Sequence, residues 1–278
     1  MNAVAHQNFT SRLLAGSGFD PVHLTLCQIV NDSPTSSGSA DPVVITERHG
    51  AVAVVTLNRP AARNALDARL NATFPSAIRE ADADPGVRAI VLTGADPAFC
   101  AGFDRRDVDG GEKKGENPHP GYWTALPPTR VPVIGAINGA AVTGGFEIAL
   151  ACDFLIASDR ARFADTHTKV GMVPGWGLTV VLPRLIGPAR ARYMSLTGEF
   201  VDARTALDWG LVVEVVPHDE LLARAIAIGE AIATTHAEAT AEVRALYDEV
   251  RAFGDTDEAF AFENRRARDW AARRFGRQ

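Results

Sequence analysis

The sequence predicts an α/β fold, and three observations carry that expectation. Short apolar, β-branched runs alternate with helical segments between Val43 and Ala157. Glycine-bearing turns close several of those runs. After Pro188 the pattern becomes helical almost throughout. Strands of this length alternating with helices imply parallel crossover units, and the run of helices that follows implies a small helical region at the C-terminal end.

Taken in order, residues 1–41 stand apart. No basic segment leads into an unbroken apolar stretch, so a signal peptide is a poor fit. Asn31 to Asp41 is a Ser/Pro/Gly/Asp run with too little apolar surface to order itself, and the segment is expected to be a mobile extension. Val43 to Glu47 and Val52 to Leu57 read as a hairpin about His49-Gly50. Leu66, Leu70, Phe74, Ile78 and Ala81 recur at helical spacing and stop at Asp84-Pro85-Gly86. Ala89 to Leu92, Val131 to Ile137 and Cys152 to Ala157 read as strands, with a helix starting near Gly145 between the last two. Beyond Pro188 the expected helices are Ala189 to Thr197, Ala203 to Trp209, Glu220 to Ala233, Ala239 to Arg251 and Glu258 to Arg274. A short strand, Val212 to Val216, lies among them. The resulting division is an extension over 1–41, a core over 42–188 and a helical region over 189–278.

Composition narrows the function. With 46% hydrophobic and 22% charged residues the chain can bury a full core. A formal net charge of −6 favours neither nucleic acid nor an acidic membrane surface. The apolar runs fall short of a membrane span. Three cysteines (Cys27, Cys100 and Cys152) in no paired spacing argue against a disulfide framework or a zinc site. The expectation is a soluble protein of a reducing compartment, taken as the cytoplasm.

Two glycine-containing segments are the candidates for chemistry: Phe99-Cys100-Ala101-Gly102-Phe103-Asp104, and Asn138-Gly139-Ala140-Ala141-Val142-Thr143-Gly144-Gly145-Phe146-Glu147. Glycine lets a backbone approach a ligand closely, and a helix start presents unpaired N–H donors. Two such donors from separate segments suit a developing oxyanion. Ordinary turn glycines are the competing explanation. Neither segment has the spacing of a nucleotide-binding loop.

These segments belong to a larger pattern. Asn58 to Leu66 (NRPAARNAL), Phe99 to Asp104, Val131 through Asp153, Phe163 to Gly177 and Leu196-Thr197-Gly198 resemble, in order, five motifs of the enoyl-CoA hydratase/isomerase (crotonase) family. The resemblance covers about half the chain. It implies a crotonase-type spiral of ββα units and a helical C-terminal region making trimer contacts, often as a dimer of trimers. It further implies an acyl-CoA ligand and no separate cofactor, coenzyme A being part of the substrate. By motif position, the oxyanion donors would be the N–H groups of Phe103 and Gly144. The coenzyme would be lined by Ala65, Ala101, Asp104, Arg105 and Arg106, with Arg63 reaching a phosphate as a charge-assisted donor. For Arg105 and Arg106, solvated surface charge is an equal alternative.

The resemblance makes Glu147 the first of two hydratase carboxylates, a base able to activate water. The helix dipole favours its anion and burial opposes it. The family's second carboxylate falls on His167, preceded by Thr166 where the family carries proline. Histidine can exchange protons near neutral pH, though a structural histidine fits the position too. Asp165 is a weaker substitute. Thr143 replaces the first glycine of the family's triplet, an expected modest steric change. The family's last covering helix is expected to be short or missing.

Water addition to a 2-enoyl-CoA, or its reverse, is the activity these features imply. Isomerisation, thioester hydrolysis or decarboxylation are alternatives within the fold, and a non-catalytic acyl-CoA binder is the alternative outside catalysis. Deleting Met1 to Ala40 should leave the melting temperature and acyl-CoA affinity nearly unchanged, measured by calorimetry. A large loss of either would mean that the segment packs on the core or the site.

Overall fold

The computed structural model describes residues 41–104 and 125–276. The expected extension over 1–41 therefore lies almost wholly outside the described residues, as do Arg105 and Arg106.

The hairpin forms from β1 (Val44–His49) and β2 (Val52–Leu57), paired antiparallel with His49 opposite Val52. Gly50 (φ 56°) follows in the turn, a left-handed conformation that glycine adopts without Cβ strain. The helix α1 (Ala68–Ala83) starts where Asp67 accepts a hydrogen bond from the Leu70 N–H at 2.7 Å. It buries Leu70, Phe74, Ile78 and Ala81, the face expected from their spacing. Each such large side chain contributes about 1.5–3 kcal/mol when fully buried.

From β3 onwards the chain repeats one move, laying a strand in a large sheet and then a very short strand in a second sheet. The pairs are β3 (Ala89–Gly94) with β4 (Ala98–Cys100), β5 (Val133–Ile137) with β6 (Ala140–Val142), and β7 (Phe154–Ser158) with β8 (Arg162–Ala164). The helix α2 (Gly144–Leu150) follows the second pair. After the third come α3 (Leu178–Ile186), α4 (Pro188–Thr197), β9 (Val201–Asp202), α5 (Ala203–Asp208) and β10 (Glu214–Val216). The large sheet has the order β1-β2-β3-β5-β7-β10, parallel except for β1, and the small sheet the order β4-β6-β8-β9, parallel except for β9. Successive turns stack in register, which is the expected spiral.

The large sheet is apolar on both faces. Ala53, Val55, Ile90 and Leu92 enter the main core with α1, α2 and the small sheet. Their alternate neighbours Val52, Val54, Ala89 and Val91 pack with Ile134, Ile156 and two residues of α6 (Leu221–Ala233), Leu221 and Ala225. Strands covered on both sides lose the in/out alternation, which is why they appear as continuous apolar runs. Two further helices, α7 (Ala237–Glu249) and α8 (Thr256–Phe275), bury no side chain fully. Arg266 ties them by ion pairs to Glu242 (2.8 Å) and Glu249 (2.7 Å).

The structure departs from expectation in two places. The small sheet was not foreseen, because its strands are two or three residues long. The helix α3 was not foreseen either; it carries Pro183 in its interior. The short strand expected over Val212 to Val216 does form, as β10, and closes one edge of the large sheet, while β9 closes one edge of the small one.

The two glycine-containing segments meet backbone to backbone. A Cβ at Gly145 would lie 2.2 Å from the Cys100 carbonyl oxygen, and one at Gly102 would lie 2.9 Å from that of Val142. These atoms are held by β4 and β6 and cannot move aside. Gly145→Ala should therefore cost about 1–3 kcal/mol from overpacking, read from the urea unfolding midpoint. An unchanged midpoint would contradict the contact.

Candidate active site

The first segment is fastened along the Asn58–Leu66 motif. Gly102 O accepts from the Leu66 N–H (2.7 Å), the Asp104 N–H donates to Leu66 O (3.0 Å), and the Ala101 N–H donates to Arg63 O (3.0 Å). Asn64, fully buried, anchors the motif from within. Its Oδ1 accepts from the Arg59 N–H at 2.8 Å, and its Nδ2 donates to the carbonyls of Ala95 (2.8 Å) and Ala98 (2.7 Å). Arg63 and Asn64 both take positive φ (49° and 55°), a conformation asparagine tolerates better than most residues. Sequence reasoning placed Asn64 only within a motif; its three short hydrogen bonds are the physical reason for an amide there.

Asp104 is buried and pairs with Arg59, whose Nη2 lies 3.2 Å from Asp104 Oδ2 and 3.1 Å from Asp67 Oδ2. Arg59 also donates to the carbonyl of Ala65, itself buried. The Asp104 carboxylate thus braces the loop. Arg59 was not singled out in the sequence. Arg63 is partly exposed at the mouth of the same motif.

The second segment begins with Thr143 at φ 53°, ψ −116°. For a β-branched residue this is an outlier, and such positions cost on the order of 1–3 kcal/mol. The expected modest steric change is therefore a backbone cost. Thr143 is held there by its N–H to Ala164 O (3.0 Å) and by a hydroxyl–hydroxyl bond to Thr166 (2.5 Å). Gly144 follows at the start of α2, and the Phe103 ring lies against it: a Cβ on Gly144 would meet Phe103 Cε2 at 2.9 Å. Phe103 also stacks obliquely on Trp176, with centroids 5.1 Å apart. Among the described residues, neither the Phe103 N–H nor the Gly144 N–H has a hydrogen-bond partner.

Glu147 lies in the first turn of α2 with 2% of its surface exposed. Its Oε1 accepts from the N–H groups of Trp176 (2.7 Å) and Gly175 (3.1 Å), just ahead of α3. Its Oε2 stands 3.6 Å from His167 Nε2. Burial pushes the Glu147 carboxyl above the ordinary carboxylate range, outweighing the Trp176 N–H, the nearby imidazole and the other backbone donors. The Gly175-Trp176 donors went unrecognised in the sequence, although the glycines flanking Trp176 mark a backbone free to turn its N–H groups inward.

His167 is 1% exposed and reaches Asp165 on its other side, with Nδ1 2.6 Å from Asp165 Oδ1. The same oxygen accepts from the His167 backbone N–H at 3.2 Å. Burial alone would raise the Asp165 carboxyl, but hydrogen bonds from the His167 ring and the His167 N–H, with the Ser195 hydroxyl close by, hold it below its usual value. Sequence position thus brings Glu147, His167, Phe103 and Gly144 into one neighbourhood, and the structure adds Asp165 in contact with His167.

Comparison with known proteins places this geometry. The family model for enoyl-CoA hydratase/isomerase matches residues 47–269. "Probable enoyl-CoA hydratase 1, peroxisomal" of Arabidopsis thaliana is 39% identical over 197 residues, 70% of this chain and 74% of the relative. A probable enoyl-CoA hydratase of Mycobacterium bovis is 38% identical over 227 residues, 80% of this chain and 87% of that protein. The crystal structure of an enoyl-CoA hydratase from Mycobacterium smegmatis superposes with a TM-score of 0.70 at 43% identity, covering 83% of this chain and 98% of that one. On its motifs, its spiral of paired strands and these likenesses, the chain belongs to the enoyl-CoA hydratase/isomerase family.

Proposed function

We propose that the protein adds water reversibly across the double bond of a 2-enoyl-CoA thioester. The observation that carries this reading is the buried Glu147 carboxyl 3.6 Å from the His167 imidazole, beside two backbone N–H groups that no described residue occupies. In this reading the thioester oxygen sits on the N–H groups of Phe103 and Gly144, which stabilise the negative charge that grows as water attacks Cβ. Glu147 accepts a proton from that water, and the protonated His167 delivers one to Cα. Hydration leaves Glu147 protonated and His167 neutral, and a proton crossing between them restores the starting state. Coenzyme A arrives as part of the substrate, and no separate cofactor is required. Arg63 supplies a cationic donor to a coenzyme phosphate, while Ala65, Ala101 and Asp104 build the backbone wall beside it. Phe103 and Trp176 shape the acyl end. The cytoplasm remains the expected compartment; among the described residues no helix is long and apolar enough to cross a membrane.

A homotrimer, or a dimer of trimers, is part of the same proposal. Its support is apolar surface concentrated around α3 and α4, where Val173 is 81% and Leu196 74% exposed, and on α7 and α8, which hide no side chain fully. Light scattering at micromolar concentration should give a mass of three or six chains; a monomer would refute the assembly.

Glu147→Gln keeps the shape and removes the proton acceptor, so hydration of crotonyl-CoA should fall by about a hundredfold to ten-thousandfold with binding retained. His167→Ala should fall comparably, and His167→Glu should keep or raise turnover. A fully active His167→Ala with an inactive Glu147→Gln would replace the two-group scheme by a single carboxylate. Calorimetric binding of acyl-CoA without turnover of any enoyl-CoA would favour a binding protein instead.

The raised Glu147 carboxyl sets two signs. As a base it works only when ionised, so kcat/KM should fall with decreasing pH at a point above the ordinary carboxylate range. For stability, burial favours the neutral form. Its contribution is present at low pH and lost as pH rises through the raised folded-state value. Glu147→Gln, always neutral, should gain thermal stability relative to the parent as pH increases, and a relative loss would contradict the burial effect.

A further inference from the structure

A third ionisable side chain reaches this neighbourhood without facing Glu147. Asp165 follows β8, is 1% exposed, and places Oδ1 2.6 Å from His167 Nδ1. We infer that Asp165 is a positioning residue, fixing the imidazole of His167 in the tautomer and orientation that leave Nε2 as the proton-exchanging atom. The inference rests on the site reading above and names a residue that reading does not use.

The chemistry follows from what each atom can do. An ionised carboxylate only accepts hydrogen bonds, so the ring nitrogen 2.6 Å away must carry hydrogen. With Nδ1 committed as a donor, the neutral ring keeps its lone pair on Nε2, the atom 3.6 Å from Glu147 Oε2. Were the tautomer reversed, Nε2 would hold its hydrogen in the neutral state and could not take a proton back from Glu147. The ring is also restrained in rotation. Asp165 Oδ1 accepts both from Nδ1 and from the His167 backbone N–H at 3.2 Å, so turning the imidazole breaks a bond anchored on its own residue.

A purely structural role accounts less well for the other oxygen. Asp165 Oδ2 is buried and has no partner within hydrogen-bond distance among the described residues, although Ser195 stands near enough to favour the anion. A half-satisfied buried carboxylate is costly to keep. An amide would form the same backbone turn without that cost. What the amide cannot do is insist on a donor at Nδ1, because it offers either an oxygen or an NH₂ to the ring. The intervening residue adds rigidity: Thr166 is held through its hydroxyl to Thr143, the neighbour of Gly144. The line Asp165–imidazole–Glu147 therefore explains how a histidine can stand where the family's hydratases carry a second carboxylate. An imidazole serves there only if one particular nitrogen is presented, and Asp165 selects it.

The test uses the full-length chain with ¹⁵N-labelled histidine, the His167 signals being assigned by their loss in His167→Ala. At a pH where the ring is neutral, the parent should show hydrogen on Nδ1 of His167; hydrogen on Nε2 would overturn the inference without any variant. Asp165→Asn should shift the population towards Nε2–H and lower kcat for crotonyl-CoA hydration by about a hundredfold or more, with KM changed less than about threefold. In a His167→Glu background, Asp165→Asn should leave turnover within about threefold or raise it, since no imidazole remains to be aligned. Wild-type tautomer and turnover in Asp165→Asn, with His167→Ala inactive, would sink this inference and leave the proposed function standing. A fully active His167→Ala would overturn the role of His167 and this inference with it.

Discussion

The arrangement depends on one contact, the meeting of two backbones where Cys100 to Phe103 crosses Thr143 to Gly145. Neither strand of the small sheet that delivers these segments is longer than three residues, so pairing alone fixes them weakly. The crossing is fixed instead by the absence of side chains at Gly102 and Gly145, which lets carbonyl oxygens approach within the space a methyl group would fill. Three consequences follow from that contact. The N–H groups of Phe103 and Gly144 fall on adjoining segments, α2 begins at the crossing, and Glu147 is carried inward on its first turn. Asn64, with one side chain bonded to three backbone groups, keeps the outer segment from drifting away.

Around this crossing, two neighbouring acids are driven in opposite directions by their surroundings. Both are nearly inaccessible to water. For Glu147 burial prevails, and backbone donors from Trp176 and Gly175 only reduce its effect. For Asp165 the donors prevail, because the His167 ring and backbone converge on one oxygen. An imidazole between a carboxyl that tends to hold its proton and one that tends to release it is a natural place for proton traffic. No global charge is involved: at −6 overall, the chain achieves this by placement of three side chains.

Much of this could be anticipated from residues alone, and the exceptions share a cause. The hairpin, α1 and the strands β3, β5 and β7 were legible because each carries its own hydrophobic period or an unbroken apolar run closed by a turn. Strands such as Arg162–Ala164 and Val201–Asp202 are too short to show a period and exist because neighbours pair with them. At the site, Glu147 and His167 were legible from their places in motifs. Asp165 was weighed only as a substitute acid, because its importance lies in a 2.6 Å contact that spacing cannot convey. The donors of Gly175 and Trp176 were illegible for a related reason: a backbone N–H has no letter of its own.

Thr143 carries a consequence for how this chain can change. Its positive φ would suit glycine, and its hydroxyl has a described partner only in Thr166. Returning Thr143 to glycine would relieve the backbone but strand the Thr166 hydroxyl. Placing proline at 166 first would leave a strained threonine held by its backbone N–H to Ala164 alone, its hydroxyl unpaired. Each single step forfeits what the other residue supplied, so the two positions form a coupled pair whose effects do not add. Descent with modification should cross between the two combinations rarely and keep each intact once reached, so that residue 143 foretells residue 166 although twenty-two positions separate them in the chain.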